Sequence, residues 1–328
     1  MYTVNPVKKD CKEVVENSSY VSINKSNIPQ LVEHILKNYE LDSADWDAPV
    51  FPSVTEHKFE TIVDFFTVGN AINYCFNDLK TGQKYNTEYI GTKWAGSYGM
   101  WASIKRAMEN DIPILDSDYL QNITEKDLID IFDSTDNSSM PMIKSRVSNL
   151  RTVGNLMNEI GGSFETLFTG DIKLYGEDGI VNWFANTEAF KDTRTYNGKV
   201  IRFDKRSQLT VSMLYGKFKN TEHEFDILDI DSFTVFADYG IPAGLVAHDV
   251  LDYDKELYNK IKNNKRIPEN SDEEIEIRAA TVMAGRDIKS EIEKQAKTDV
   301  SMVIIDYLLW KMRNDANTYT HITETTSY

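Results

Sequence analysis

SDEEIEIRAATVMAGRDIKSEIEKQ, residues 271–295, is the stretch that decides the fold class. Ser271 followed three residues later by Glu274 is the pattern of a capping box, and it predicts a helix running to about Gln295. Asp299 then predicts the cap of a last helix carrying Val300, Val303, Ile304, Tyr307 and Leu308, so the C-terminal third reads as the most helical part of the chain. Further toward the N-terminus, Asn27-Ile28-Pro29 reads as a helix start with proline in the first turn, and Ile28, Leu31, Val32, Ile35 and Leu36 share one face. Helical spacing returns over Glu60 to Phe76, over Tyr98 to Met108, behind Thr124 and Asp127, and from Met142 to Ile160 before Gly161-Gly162. The acidic, turn-rich stretch Asn38 to Pro49 reads as a surface loop. The β signals are small. Lys84 to Thr92 is rich in Tyr and Thr and suggests a short strand pair, and Asn197-Gly198 within Arg194 to Phe203 favours a type I′ hairpin. With no repeat, low-complexity tract or linker, residues 1–328 are expected to form one mainly α domain with small β-hairpin elements, residues 1–15 being a mobile N-terminal arm.

The chain has 328 residues, 41% hydrophobic and 11% aromatic, which is a globular composition with enough length for a sizeable core. Its formal net charge of −16 would repel a nucleic-acid backbone, so no direct nucleic-acid partner is expected, while one small anion in a local basic pocket remains compatible. Two cysteines, Cys11 and Cys75, argue against a disulfide framework and fit a reducing, cytoplasmic setting. Met1 to Asp10 is polar, without the apolar run of a signal peptide, and nothing approaches the ~20 apolar residues of a membrane span, so no membrane partner is expected. Oligomeric state is not legible.

None of the five histidines is paired at metal-ligand spacing, and His-Glu-x-x-His and Cys-x-x-Cys do not occur, so neither a metal nor a cofactor is expected. Walker, dinucleotide-binding and nucleophile-elbow motifs are missing too. Any catalysis then falls to carboxylates and lysine.

Four segments set charge in an apolar context, and each has a structural reading beside a functional one. Asp238, in Phe233 to Pro242, follows an apolar run and could be a carboxylate poised for acid/base or electrostatic work, or a cap on the next turn. Lys205 and Arg206, in Val200 to Gln208, could grip a phosphate or open a solvated helix. Glu274, Glu276 and Arg278 could point inward to orient a ligand, or Glu274 and Arg278 could form a surface pair four residues apart. Asp306 and Trp310 share a helical face and could hold and stack a nucleobase, or be a solvated acid beside a core tryptophan.

Taken in order along the chain, these segments resemble the queuosine salvage family of queuosine 5′-phosphate N-glycosylase/hydrolases. The matching stretches are Ile72-Asn73-Tyr74-Cys75-Phe76, Lys205-Arg206-Ser207-Gln208, Phe236-Ala237-Asp238-Tyr239-Gly240-Ile241-Pro242, Glu274-Ile275-Glu276-Ile277-Arg278 and Asp306-Tyr307-Leu308-Leu309-Trp310. The chain departs from the family pattern at Asn77 and Tyr98, where the pattern has Trp, at Asp204 (an aromatic), at Ser207 (Ala) and at Gly240 (Arg).

The resemblance implies a helical fold similar to DNA glycosylases, without bound metal, and hydrolysis of the bond between ribose and a queuine-type base. It implies that Asp238 faces the anomeric carbon, stabilising the cation or activating water, and that Lys205, helped by Arg206, binds the 5′-phosphate or supports Asp238. Asn73, Phe76, Tyr239, Asp306 and Trp310 become candidates for binding the base, with Glu274, Glu276 and Arg278 orienting them. The partner implied is a small modified nucleotide. The alternatives are a glycosidase for another purine nucleotide and a modified-nucleotide binding protein without catalysis.

Overall fold

A computed structural model describes residues 5–42, 46–78, 81–136, 138–313 and 319–328. Among them are thirteen α-helices: α1 (Pro6–Glu16), α2 (Ile28–Asn38), α3 (Phe59–Ala71), α4 (Ser97–Glu109), α5 (Ser117–Asn122), α6 (Glu125–Ile131), α7 (Ile143–Glu159), α8 (Ile180–Ala185), α9 (Lys205–Phe218), α10 (Gly240–Ala247), α11 (Lys255–Lys262), α12 (Asp272–Ala296) and α13 (Met302–Met312). Three two-stranded antiparallel sheets accompany them, pairing β1 (Val21–Ile23) with β6 (Leu251–Tyr253), β2 (Asn86–Tyr89) with β3 (Thr92–Ala95), and β4 (Thr193–Tyr196) with β5 (Lys199–Arg202). The mainly α class is as expected from the sequence. The hairpin turn is formed by Asn197 and Gly198 at φ 49° and 77°, the left-handed pair that a type I′ turn demands. No helix among the described residues is long and apolar enough to cross a membrane.

The organising element is α12. Its first half, from Glu273 to Gly285, is buried on every face, between α1, α2, α10 and α13. Gly285 permits this, because a Cβ there would overlap the Val235 side chain. Ser271 caps the helix by accepting from the Glu274 N–H at 3.3 Å, and Asp272, Glu273 and Glu274 favour the positive end of the helix dipole. The capping box is one-sided, however. The Glu274 carboxylate turns away to Arg194 and the Asn270 N–H, whereas Thr124 and Asp127 complete a reciprocal box at α6.

Several expectations need correction. Within the proposed mobile arm lies α1, capped by Asn5, with Pro6 in its first turn and Val7, Cys11 and Val14 in the core against α12. Residues 1–4 lie outside the described residues. Helix α3 ends at Ala71, not Phe76, because two buried guanidinium groups take up the carbonyls where it stops. Arg206 donates to Asn70 O and Ala71 O, and Arg146 to Ile72 O, Tyr74 O and Cys75 O. Residues 72–77 are thereby freed from helical geometry. Helix α13 begins at Met302 behind Ser301, leaving Asp299 and Val300 outside it. The stretch expected as a surface loop has no helix or strand after Asn38 among its described residues, but within it the half-buried Trp46 packs at right angles against Phe51; residues 43–45 lie outside the described residues.

Candidate active site

The start of α9, the segment entering α10, the inner face of α13 and the residues after α3 converge on one pocket. Its floor is ionic. Lys205, the first residue of α9, is 7% exposed and shares this pocket with Asp238 and Asp306. Burial lowers the proton affinity of its ammonium, and the charges of Asp238 and Asp306 work against that loss. Among the described residues the Lys205 ammonium has no hydrogen bond or ion pair.

The segment carrying Asp238 is held from three sides. Phe236 N–H donates to Asp306 Oδ1 at 2.7 Å, Arg278 Nε to Ala237 O at 3.4 Å, and Asp238 Oδ1 accepts from Gly240 N at 2.8 Å and Ile241 N at 3.1 Å. Asp238 therefore does cap the next helix, as the structural reading had it, yet one oxygen suffices for that. Its other oxygen has no partner among the described residues and the side chain lines the pocket. Asp306 is 8% exposed; burial, reinforced by Asp238 and opposed by the Phe236 N–H and Lys205, raises its pKa well above the usual carboxylate value.

Beneath the floor, Asp192 couples the two elements. It accepts from Lys205 N at 3.0 Å and from both Arg278 amino groups at 2.8 and 2.7 Å. Burial alone would raise its pKa, but the Arg278 guanidinium holds it at about 2. Arg278 also lies over the rings of Phe203 and Tyr328, 4.0 and 4.5 Å from their centres.

The walls are aromatic. Tyr98 stacks between Trp94 and Trp310, with ring centres 5.9 Å apart on each side, and Tyr307 stacks on Trp310 at 6.3 Å. A tyrosine at position 98 thus keeps the flat face that the family pattern places there. Tyr239, His321 and Tyr328 form a second cluster, fixed by a 2.7 Å hydrogen bond from the Tyr239 hydroxyl to Thr323 O. Burial lowers the His321 pKa to about 4, so it is neutral at neutral pH. An aromatic lining around buried polar groups suits a planar heterocycle with hydrogen-bonding edges.

Of the residues singled out in the sequence, Asp238, Lys205, Asn73, Phe76, Tyr239, Asp306 and Trp310 meet at this pocket. Arg206 does not. It is fully buried, donating to Asn70 O, Ala71 O and Ala189 O, so it cannot help Lys205 at a phosphate. Glu276 is also away from the pocket: it accepts from the N–H groups of Ser19, Tyr20 and Val21 and from the hydroxyls of Ser18 and Tyr196. Glu274 and Arg278 do not line it either, but they brace what does. Glu274 holds Arg194, which donates to Thr325 and Ser327 in the segment that carries His321 and Tyr328.

Sequence reasoning missed Trp46, Lys84, Arg313, Asp192 and the whole 319–328 segment. Trp46 sat in a stretch read as surface loop, and a lone acid such as Asp192 gives no local signal.

A family model described as queuosine salvage protein matches residues 53–328. The queuosine 5′-phosphate N-glycosylase/hydrolase of Sphaerobacter thermophilus is 30% identical over 91% of this chain and 89% of its own length. The proteins of the same name from Bos taurus and Nematostella vectensis are 28% and 26% identical, covering 94% and 90% of this chain and 93% and 90% of their own lengths.

Proposed function

The chain belongs to the queuosine salvage protein family, and from that membership we propose that it is an N-glycosyl hydrolase acting on queuosine 5′-monophosphate. It releases the 7-deazaguanine base and ribose 5-phosphate. The observation that carries the assignment of roles is the meeting of Asp238, Lys205 and Asp306 in one aromatic-walled pocket.

In the reaction the glycosidic C–N bond breaks with its electron pair moving to the base, while a water oxygen bonds to the anomeric carbon. Positive charge builds on the sugar and negative charge on the leaving base. A 7-deazapurine has carbon at ring position 7, so it cannot be protonated there; help must reach the exocyclic oxygen or the remaining ring nitrogens. Asp238 supplies the negative charge beneath the sugar, through the oxygen not engaged in capping α10, and takes the proton of the attacking water. Asp306, whose pKa burial raises, shares the pocket with Asp238 and is placed to meet the base edge. Lys205 stabilises the carboxylate charge between them. Phe76, Tyr239 and Trp310 line the pocket with aromatic surface, and Asn73 completes the enclosure.

A binding protein without catalysis would gain nothing from a buried ammonium held beside Asp238 without a hydrogen bond or ion pair, because burying such a charge is costly. Incubating the protein with queuosine 5′-monophosphate, queuosine and guanosine monophosphate, with free base followed by mass spectrometry, tests the reading. Base release from the first is expected. Binding without release would support a carrier, and turnover of guanosine monophosphate alone would redirect the assignment to another purine nucleotide.

A further inference from the structure

We propose that Lys84 and Arg313 form the subsite for the 5′-phosphate in the pocket they share with Asp238; this rests on the nucleotide hydrolase reading above.

A phosphate dianion entering a protein of net charge −16 needs local cations. Around this pocket the described cationic side chains are Lys84, Lys205 and Arg313, since His321 is neutral and Arg206 is turned to backbone carbonyls. Lys205 shares the ionic floor with Asp238 and Asp306, where the sugar and base must lie if Asp238 faces the anomeric carbon. The other two belong to different elements, ahead of β2 and after α13, and Asp238 attracts both of them. They are also near enough to each other for Arg313 to repel the Lys84 ammonium.

Neither cation is neutralised. Arg313 has no ion pair among the described residues; it donates one hydrogen bond, to Trp310 O, and its guanidinium stacks 3.6 Å from the centre of the Trp310 ring. Its remaining N–H groups stay available in the planar fork that matches phosphate oxygens. Lys84 likewise has no ion pair or side-chain hydrogen bond among the described residues. Asp238 offsets only part of this paired positive charge, and a phosphate dianion would offset the rest.

The packing beneath them is specific. The Lys84 side chain crosses Gly96 and the Arg313 side chain crosses Gly240, and a Cβ at either glycine would overlap the methylene chain above it. At position 240 the missing side chain is therefore what gives Arg313 its place. The cation that the Asp-Tyr-Gly-Ile-Pro stretch itself lacks arrives from the end of α13.

The test is the ratio of kcat/KM for queuosine 5′-monophosphate to that for queuosine. In Lys84→Ala and Arg313→Ala this ratio should fall by about 10- to 100-fold, the range of a lost charge-assisted hydrogen bond. Lys84→Arg and Arg313→Lys should retain most of it. The double variant Gly240→Arg/Arg313→Gly should recover a good part, because an arginine at 240 would enter the space that Arg313 leaves. Equal losses on both substrates, or an unchanged ratio, would overturn the subsite. Calorimetry with ribose 5-phosphate and with ribose keeps this separate from the choice of base. If the wild type cleaves neither nucleoside nor nucleotide, the hydrolase reading fails. The subsite then still stands or falls on whether ribose 5-phosphate binds, ribose does not, and Arg313→Ala removes the difference.

Discussion

Arg278 grips Asp192 through two hydrogen bonds of 2.8 and 2.7 Å, and neither side chain reaches solvent. One Asp192 oxygen also fixes the first N–H of α9, while Arg278 reaches the carbonyl of Ala237 beside Asp238. One buried pair thus sets the distance between the lysine and the carboxylate of the pocket floor.

Breaking that pair from one side leaves an uncompensated buried charge. Arg278→Met and Asp192→Asn should each cost about 3–5 kcal/mol in urea unfolding. The folded fraction should lose kcat more than KM, since the floor shifts rather than the aromatic walls. Asp192, held at about 2, also makes an acid-sensitive contribution: it is present above the unfolded value near 3.8 and lost as pH falls from there toward 2. An Arg278→Met protein of wild-type stability and kcat would remove this pair from the account of the site.

Asp238→Asn separates chemistry from capping. The amide oxygen can still accept from Gly240 and Ile241, so unfolding should change by less than about 1 kcal/mol, whereas Asp238→Ala should show the loss of a cap, about 1 kcal/mol. Both should lower kcat by about 100- to 10,000-fold. Near-normal release of base by a folded Asp238→Asn protein would sink the proposed mechanism.

Lys205 should trade stability for activity. Its proton affinity is lowered by burial, which means the unfolded chain holds that proton more tightly than the native one, so the charged lysine works against folding as pH drops below its unfolded value near 10.4. Lys205→Met should therefore melt at or above the wild-type temperature at pH 7 while losing turnover by at least about 100-fold. A lower melting temperature with turnover intact would mean that the lysine serves packing alone.

Much of this arrangement was legible in the sequence, because local chemistry marks it. The Thr124 and Asn197-Gly198 signals became the cap and the turn they encode, and four of the five short motifs contribute residues to the pocket, among them Asp238, Lys205 and Asp306. What escaped depends on long-range partners. Ser271 and Glu274 match the capping pattern, yet Arg194, eighty residues earlier, takes the Glu274 carboxylate. Apolar spacing carried the expectation for α3 on to Phe76, since nothing nearby shows that Arg146 and Arg206 will collect its last carbonyls. The same blindness assigned Arg206 to a phosphate: a cation beside a lysine looks alike whether it faces a ligand or the backbone. The α1 helix is a different case, since Val7, Cys11 and Val14 do have helical spacing and Asn5-Pro6 is a start signal.

Asp64, in α3, offers a test of the core apart from the pocket. It is 4% exposed and accepts from Ser163 Oγ at 3.1 Å and Phe164 N at 2.8 Å, tying α3 to the turn at 163–164. Burial raises its pKa to about 7, against those two hydrogen bonds and with help from Glu60 and Glu165. Below about pH 3 the carboxyl is protonated in the native state and largely so in the unfolded one, and its contribution to stability is retained. As pH rises toward 7 the unfolded chain releases the proton first, and stability falls by up to about 4 kcal/mol. Asp64→Asn cannot ionise, so the difference in unfolding free energy, variant minus wild type, should grow between pH 4 and 7 and level off above that. Parallel stability curves for the two proteins across this range would show that Asp64 is already ionised in the folded core.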